Sequence, residues 1–415
     1  MTMKADTRRG LVTGATVLLL FLLARLLLGV VPVAGRDYHP DEGVWIAVSK
    51  ASFDRLLAGD LRAETWADPR FGEFGTRTPP VGKYVVGAAL FLSGTTAPGE
   101  AIPGYAFDRG FDWEAVKDRR PTEPVLQAGR APMLWLGAGC VALLFLLGRE
   151  LAASLWPGLL AALVLLADPL LVRSSRSVMM DVPALFFSLL ALWGGAQLCR
   201  RIQEPDASAT TGMTLATGLA CGLALATKMN TLLVLGVVLL WVWVSAPRLN
   251  ARTLATLVGL ALLPALVFVA TNPFLYRAPI EGTLHILELG ALVAQYDVTH
   301  FQQLRDWPDR IAALVHVGIT TSASLGRLTG LGGWLDGALC ALGGGVLLVH
   351  AWARHRGAVL TLVYLAVTTA GILWWTPYVW RRWYLPMEPL WALLEALGVA
   401  ALAGAAARLR GAAKP

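Results

Sequence analysis

Ten apolar runs, each near the length of helix that crosses a bilayer, constrain this chain more than any other feature. The first, Leu11 to Ala34, carries one ionisable side chain, Arg25, in 24 residues. A transmembrane helix needs about 20 apolar residues. Comparable runs follow at 131–147, 151–172, 182–198, 213–227, 230–246, 253–271, 333–352, 358–375 and 386–407. Of the 415 residues, 56% are hydrophobic and 15% charged, where a soluble domain has about 25% charged. The expected fold is all-α and polytopic: a single membrane domain, 1–415, of about ten transmembrane helices.

The formal charge is +7, yet nucleic acid is not the expected partner, because the basic residues sit in short clusters between spans. Arg8-Arg9, Arg149, Arg200-Arg201, Arg248 with Arg252, Arg354 with Arg356, and Arg408 with Arg410 mark alternate connections. That is the bias of cytoplasmic loops. Both termini are therefore expected inside, and the polar chemistry on the opposite face. The first span reads as an uncleaved anchor, with Arg25 snorkelling outward. Cys140, Cys199, Cys221 and Cys340 fall in or beside spans and read as small apolar packing residues.

Counting spans by parity sets three regions outside: 35–129, 172–181 and 272–332. The apolar island Val81–Ser93 is about 13 residues, roughly 20 Å of helix, and contains Lys83. Were it to cross, Arg149 and Arg354-Arg356 would lie outside, so an interfacial helix is expected there. The same test keeps 311–325 from crossing. Residues 272–310, with Tyr276, Glu281, His285, Glu288, Tyr296, Asp297, His300 and Trp307, are expected to cover the site from outside, without assigned roles.

Parity puts two acidic sites on one face. Asp41 and Glu42 follow the first span; Asp181 opens the fourth, after the doubly basic stretch Arg173-Ser174-Ser175-Arg176. Helix capping explains Asp41 or Asp181 singly, but not two arginines placed against the charge rule. Lys83, Lys228, Arg381 and Arg382 are expected on the same face, with His39 and Tyr384 beside the charges in the chain. Snorkelling explains any one cation. Together they suit a lipid-linked phosphate, whose negative charge grows as a bond to it breaks. A nearby carboxylate can take the proton of an attacking hydroxyl.

The order of motifs resembles the polyprenyl-phosphate-sugar-dependent glycosyltransferases of the GT-C superfamily, in the branch of protein O-mannosyltransferases and aminoarabinose transferases. The resembling pieces are His39-Pro40-Asp41-Glu42, Thr78-Pro79-Pro80-Val81-Gly82-Lys83 and Gly129-Arg130-Ala131-Pro132. They continue with Leu147-Gly148-Arg149-Glu150-Leu151, Ala167-Asp168-Pro169 through Met180-Asp181-Val182-Pro183, Gly222-Leu223-Ala224 to Thr227-Lys228, and Arg382-Trp383-Tyr384-Leu385-Pro386. The likeness covers roughly 11–275 and the last 40 residues. It implies a GT-C-like bundle with interfacial helices in the first loop, and a catalytic base at Asp41, with Glu42 beside it. It also implies a second acidic residue at Asp181.

Thr78 stands where the mannosyltransferases have a His, and the second half has no large sugar-binding insert. Both features speak against a eukaryote-like protein-mannosylating role; the Asp112-Trp113 loop and the compact C-terminal half look more like bacterial members, expected in the plasma (inner) membrane with the active face outside. The expected partners are a polyprenyl-phosphate sugar, membrane lipids, and a lipid, glycan or protein acceptor. Two or three carboxylates could hold Mg²⁺ or Mn²⁺, although members of this branch often work without a metal. The rival reading is a transporter or flippase, disfavoured because the sequence shows no internal repeat.

Overall fold

The computed structural model describes residues 2–30, 38–39, 41–66, 75–76, 78–95, 120–203, 207–246, 248–295, 304, 306–321, 324–376 and 378–412. Among these the secondary structure is helical. The helices are α1 Thr2–Val30, α2 Asp41–Leu57, α3 Ala63–Trp66, α4 Val81–Leu92, α5 Glu123–Ala152 and α6 Leu155–Ala167. They continue as α7 Pro169–Ser174, α8 Asp181–Arg201, α9 Ala207–Leu225, α10 Leu232–Ser245, α11 Ala251–Ala270 and α12 Pro279–Gln295. The last are α13 Trp307–Val315, α14 Ser324–Thr329, α15 Gly333–Trp352, α16 Arg356–Trp375 and α17 Glu388–Ala412.

Among the described residues eight helical segments are long and apolar enough to cross a membrane, within α1, α5, α8, α9, α11, α15, α16 and the stretch from Arg381 to Arg408. They match eight of the ten expected spans. The other two are shorter, for local reasons. The run 151–172 breaks at Asp168, whose carboxylate accepts the Leu171 N–H at 2.6 Å and starts α7 at Pro169. End to end, α6 and α7 cover 155–174, about 30 Å at 1.5 Å per residue. The run 230–246 is a 3₁₀ turn, Met229–Thr231, joined to α10.

The 12-residue helix α4 is about 18 Å long, too short for a hydrocarbon layer of about 30 Å. It packs between α2 and α5. In the region 311–325, α13 gives way to a π-helical segment at His316, so no continuous α-helix covers it. The expected positions Tyr296, Asp297 and His300 lie outside the described residues, as do 31–37 and 96–119.

The bundle forms around α5, which packs against α1, α6 and α8, while α8 packs against α9 and α10. On the other side α17 lies between α6 and α15. That last crossing depends on small residues, as close helix pairs in membranes do. A Cβ added at Gly343 of α15 would meet the Leu394 carbonyl, and one at Gly398 of α17 would meet that of Leu339. Trp241 is fully buried, and its indole N–H donates to the Leu360 carbonyl at 2.6 Å, linking α10 to α16. All four cysteines are buried and free, as expected. Arg25 stacks over Trp135 of α5 at 4.9 Å and lies against Gly29, one turn nearer the end of α1.

Candidate active site

The start of α2 is a knot of local hydrogen bonds. Glu42 N–H donates to the His39 carbonyl at 2.9 Å, and Glu42 Oε1 reaches back to accept from His39 N–H at 2.9 Å. A carboxylate bonded to the N–H three residues earlier is half of a capping box. Asp41 N–H donates to His39 Nδ1 at 3.2 Å. His39 titrates below its usual value, chiefly through burial; Arg382 and Arg173 add to the effect and Asp41 opposes it. Neutral imidazole with its proton on Nε2 fits this geometry.

Glu42 is wholly buried. Arg130 of α5 grips it as a fork, Nε to Oε2 at 2.8 Å and Nη2 to Oε1 at 2.7 Å. Val178 N–H donates to Oε2 at 3.0 Å. With four hydrogen bonds on its two oxygens, Glu42 is a strut joining α2, α5 and the 173–181 loop. This geometry does not suit Glu42 to be a base. Asp41 differs. Its Oδ2 accepts from Arg382 Nη1 at 3.0 Å and lies 3.8 Å from His39 Nδ1. Its Oδ1 has no donor among the described residues.

Arg382 is set on its side by two contacts. Its guanidinium lies 3.6 Å above the Trp380 ring, and Nη1 also faces Met179 Sδ at 3.5 Å. It acts electrostatically on Asp181 as well. Asp181, at the first position of α8, pairs with Lys228 at 2.5 Å, Oδ1 to Nζ. The N-terminus of a helix favours an acidic residue, which places Asp181 without tertiary help; Lys228 comes from the turn before α10. Asp41, Arg382, Asp181 and Lys228 therefore form one alternating charge cluster. The α2, α8 and α10 members stand at helix starts, and Arg382 lies in the 3₁₀ segment before α17.

Not every candidate joins this cluster. Lys83 is 1% exposed, and its ammonium donates to the Gly75 carbonyl at 2.7 Å. Burial, with help from Arg55, pushes its pKa down to about 7. Arg176 Nε donates to the Leu28 carbonyl at 2.6 Å, satisfying the last turn of α1 rather than facing Asp41. Tyr384 is buried in the core and Arg381 is exposed. Three contributors were not singled out from the sequence as site residues: Arg130, Met179 and Trp380. Only Arg130 left a signal, a lone arginine heading an apolar run.

Among the described residues no three His, Cys, Asp or Glu side chains are grouped as a metal site requires. Asp41 and Asp181 are each paired with a cation through one oxygen, Asp41 with Arg382 and Asp181 with Lys228.

Residues 72–276 match the model of the dolichyl-phosphate-mannose-protein mannosyltransferase family. The match contains Lys83, Arg130, Asp181 and Lys228. The match spans just under half of the chain and agrees with the resemblance of its motifs to the mannosyltransferase and aminoarabinose-transferase-like branch. Solved structures share this GT-C fold at low identity. One is the archaeal oligosaccharyltransferase AglB from Archaeoglobus fulgidus, in complex with an inhibitory peptide and a dolichol-phosphate. It is 13% identical with a TM-score of 0.57, covering 96% of this chain and 52% of that one. Another is ArnT from Cupriavidus metallidurans bound to undecaprenyl phosphate, 15% identical with a TM-score of 0.53, covering 95% and 60%. The chain thus spans half to three fifths of these structures. No curated protein matches it.

Proposed function

We propose that this GT-C protein moves a sugar from a polyprenyl-phosphate donor to a hydroxyl of a lipid, glycan or protein, inverting the anomeric centre. The single observation carrying this reading is the contact of Asp41 with Arg382 beside the Asp181–Lys228 pair. An acceptor O–H gives its proton to Asp41 as its oxygen attacks the anomeric carbon. The bond from that carbon to the phosphate oxygen breaks, and the phosphate leaves with the electron pair. Arg382 and Lys228 neutralise the charge that accumulates on it. Trp380 holds the guanidinium in place before the donor arrives, so little reorganisation is left for the reaction. Asp181 orients Lys228 and keeps the pocket near neutrality.

No divalent cation is required in this scheme. The basic helix ends Arg149, Arg200 and Arg356 point to a cytoplasmic location for the opposite end of the bundle. The transfer then takes place on the outer face of a bacterial plasma membrane. A carrier or flippase gains no support from the family match. The test is direct: incubate the purified protein with a panel of polyprenyl-phosphate sugars and candidate acceptors, and weigh the products. A product heavier by one sugar, with release of polyprenyl phosphate, is expected. Lipid translocation without a sugar adduct would overturn the proposal.

A further inference from the structure

A second charged feature lies at the far end of the bundle. Arg130 and Arg149 are 19 residues apart on α5, and Asp181 and Arg200 are 19 apart on α8. At 1.5 Å per residue each pair is separated by about 28 Å, close to the thickness of the hydrocarbon layer. At that far end a cavity of about 1470 Å³ opens among α5, α6, α8, α15, α16 and α17. Asp41, Asp181, Lys228 and Arg382 do not line it.

Its mouth carries Arg149, Arg200 and Arg356 against one carboxylate, Glu150. Glu150 accepts from Gln197 at 2.9 Å and from Arg200 at 3.3 Å, and Arg356 stands 3.9 Å away. Three guanidinium groups and one carboxylate in the lining leave a surplus of two positive charges. Two helices also begin here, α6 after Ser154 and α16 after His355, and neither cap side chain bonds to the first turn. Helix starts without a side-chain cap favour an anion. The lining also holds apolar residues, Leu347, Leu393 and Leu397 among them.

From this polarity we propose that the cavity binds a net-anionic phospholipid of the leaflet opposite the active site. The phosphodiester sits among Arg149, Arg200 and the two helix starts, and an acyl chain lies along Leu347, Leu393 and Leu397. A free phosphate would match the mouth but leave the apolar wall uncovered; a zwitterionic lipid would cover the wall but bring its own cation to the arginines. The proposal does not depend on the transferase reading.

The test uses delipidated full-length protein, titrated with dioleoylphosphatidylglycerol, dioleoylphosphatidylcholine or inorganic phosphate, and read by native mass spectrometry and melting temperature. Phosphatidylglycerol is expected to bind about tenfold more tightly than phosphatidylcholine, and less so at high salt. Arg149→Gln with Arg200→Gln should remove that preference while leaving any sugar transfer unchanged. Should the double variant not fold, Leu397→Trp fills the cavity from its apolar side and should abolish phosphatidylglycerol binding. Equal binding of phosphatidylcholine would overturn the proposal, as would unchanged binding in the folded variants or equal stabilisation by inorganic phosphate.

Discussion

Arg382 Nη1 donates to Asp41 Oδ2 at 3.0 Å across 341 positions of chain. The contact closes the first loop onto the last span and leaves the other Asp41 oxygen for an acceptor. Asp41→Asn keeps the shape and a hydrogen-bond acceptor for Arg382 but cannot take a proton at neutral pH. Transfer should fall by about 10²–10⁴, with the melting temperature shifted by only a few degrees. Near-normal turnover in this variant would remove Asp41 from the mechanism.

Glu42 should behave in the opposite way, as a positioning residue whose loss is felt in the fold. Arg130→Met leaves a buried carboxylate without its fork, a change that costs about 3–5 kcal/mol when one partner of a buried pair is removed. The melting temperature should drop markedly and activity with it. Adding Glu42→Gln to Arg130→Met removes the stranded charge and should recover part of the stability. A double variant as unstable as the sum of the two singles would show that the fork is not the strut inferred here.

Much of this was legible because membranes restrict the alternatives. Apolar run length identified eight spans outright, and helix-start logic placed Asp41 and Asp181 at N-termini. Two spans were misjudged in their continuity: in sequence, the buried Asp168 cap looks like an ordinary residue in an apolar run, and so does the 3₁₀ turn Met229–Thr231 that opens the run 230–246. Arg382 was legible as one of a set of outward cations, but its Trp380 support was not, since tryptophan is common at any membrane interface. Lys83 and Arg176 showed the same signal as Arg382. Their side chains turn toward backbone carbonyls at Gly75 and Leu28, and sequence gives no direction of side-chain approach. Asp336 was missed altogether: it is buried and accepts N–H groups from Leu325 and Gly326 at 2.9 and 2.7 Å, tying α14 to α15.

Divalent cations offer a clean discrimination. If Arg382 and Lys228 supply the positive charge that the departing phosphate needs, EDTA should leave the rate within about twofold, far below the 10²-fold loss typical when an electrostatic stabiliser is removed. Arg382→Gln or Lys228→Gln should lose that larger factor, and added Mg²⁺ should not restore it. An EDTA-sensitive wild type restored by Mg²⁺ would reverse the assignment.

Lys83 makes the stability of the protein depend on pH in a definable window. Burial pushes its pKa down to about 7 from an unfolded value of 10.5. Between those values the unfolded chain holds a proton that the folded protein has released, so folding is favoured increasingly as pH rises from about 7 toward 10.5. Below about 7 both states are protonated, and the folded state bears the full cost of a buried ammonium. The melting temperature should therefore climb between pH 7 and 10. Lys83→Met, of similar length and without a charge, should stabilise the protein most at pH 6 and progressively less toward pH 10, flattening the profile. His39 also titrates below its usual value, so its contribution is lost as pH falls through the histidine range. Lys83→Met should leave that lower-pH slope intact. A variant whose profile runs parallel to the wild type from pH 6 to 10 would mean that Lys83 stays protonated in the fold, and that its ammonium is charged at the pH where the protein works.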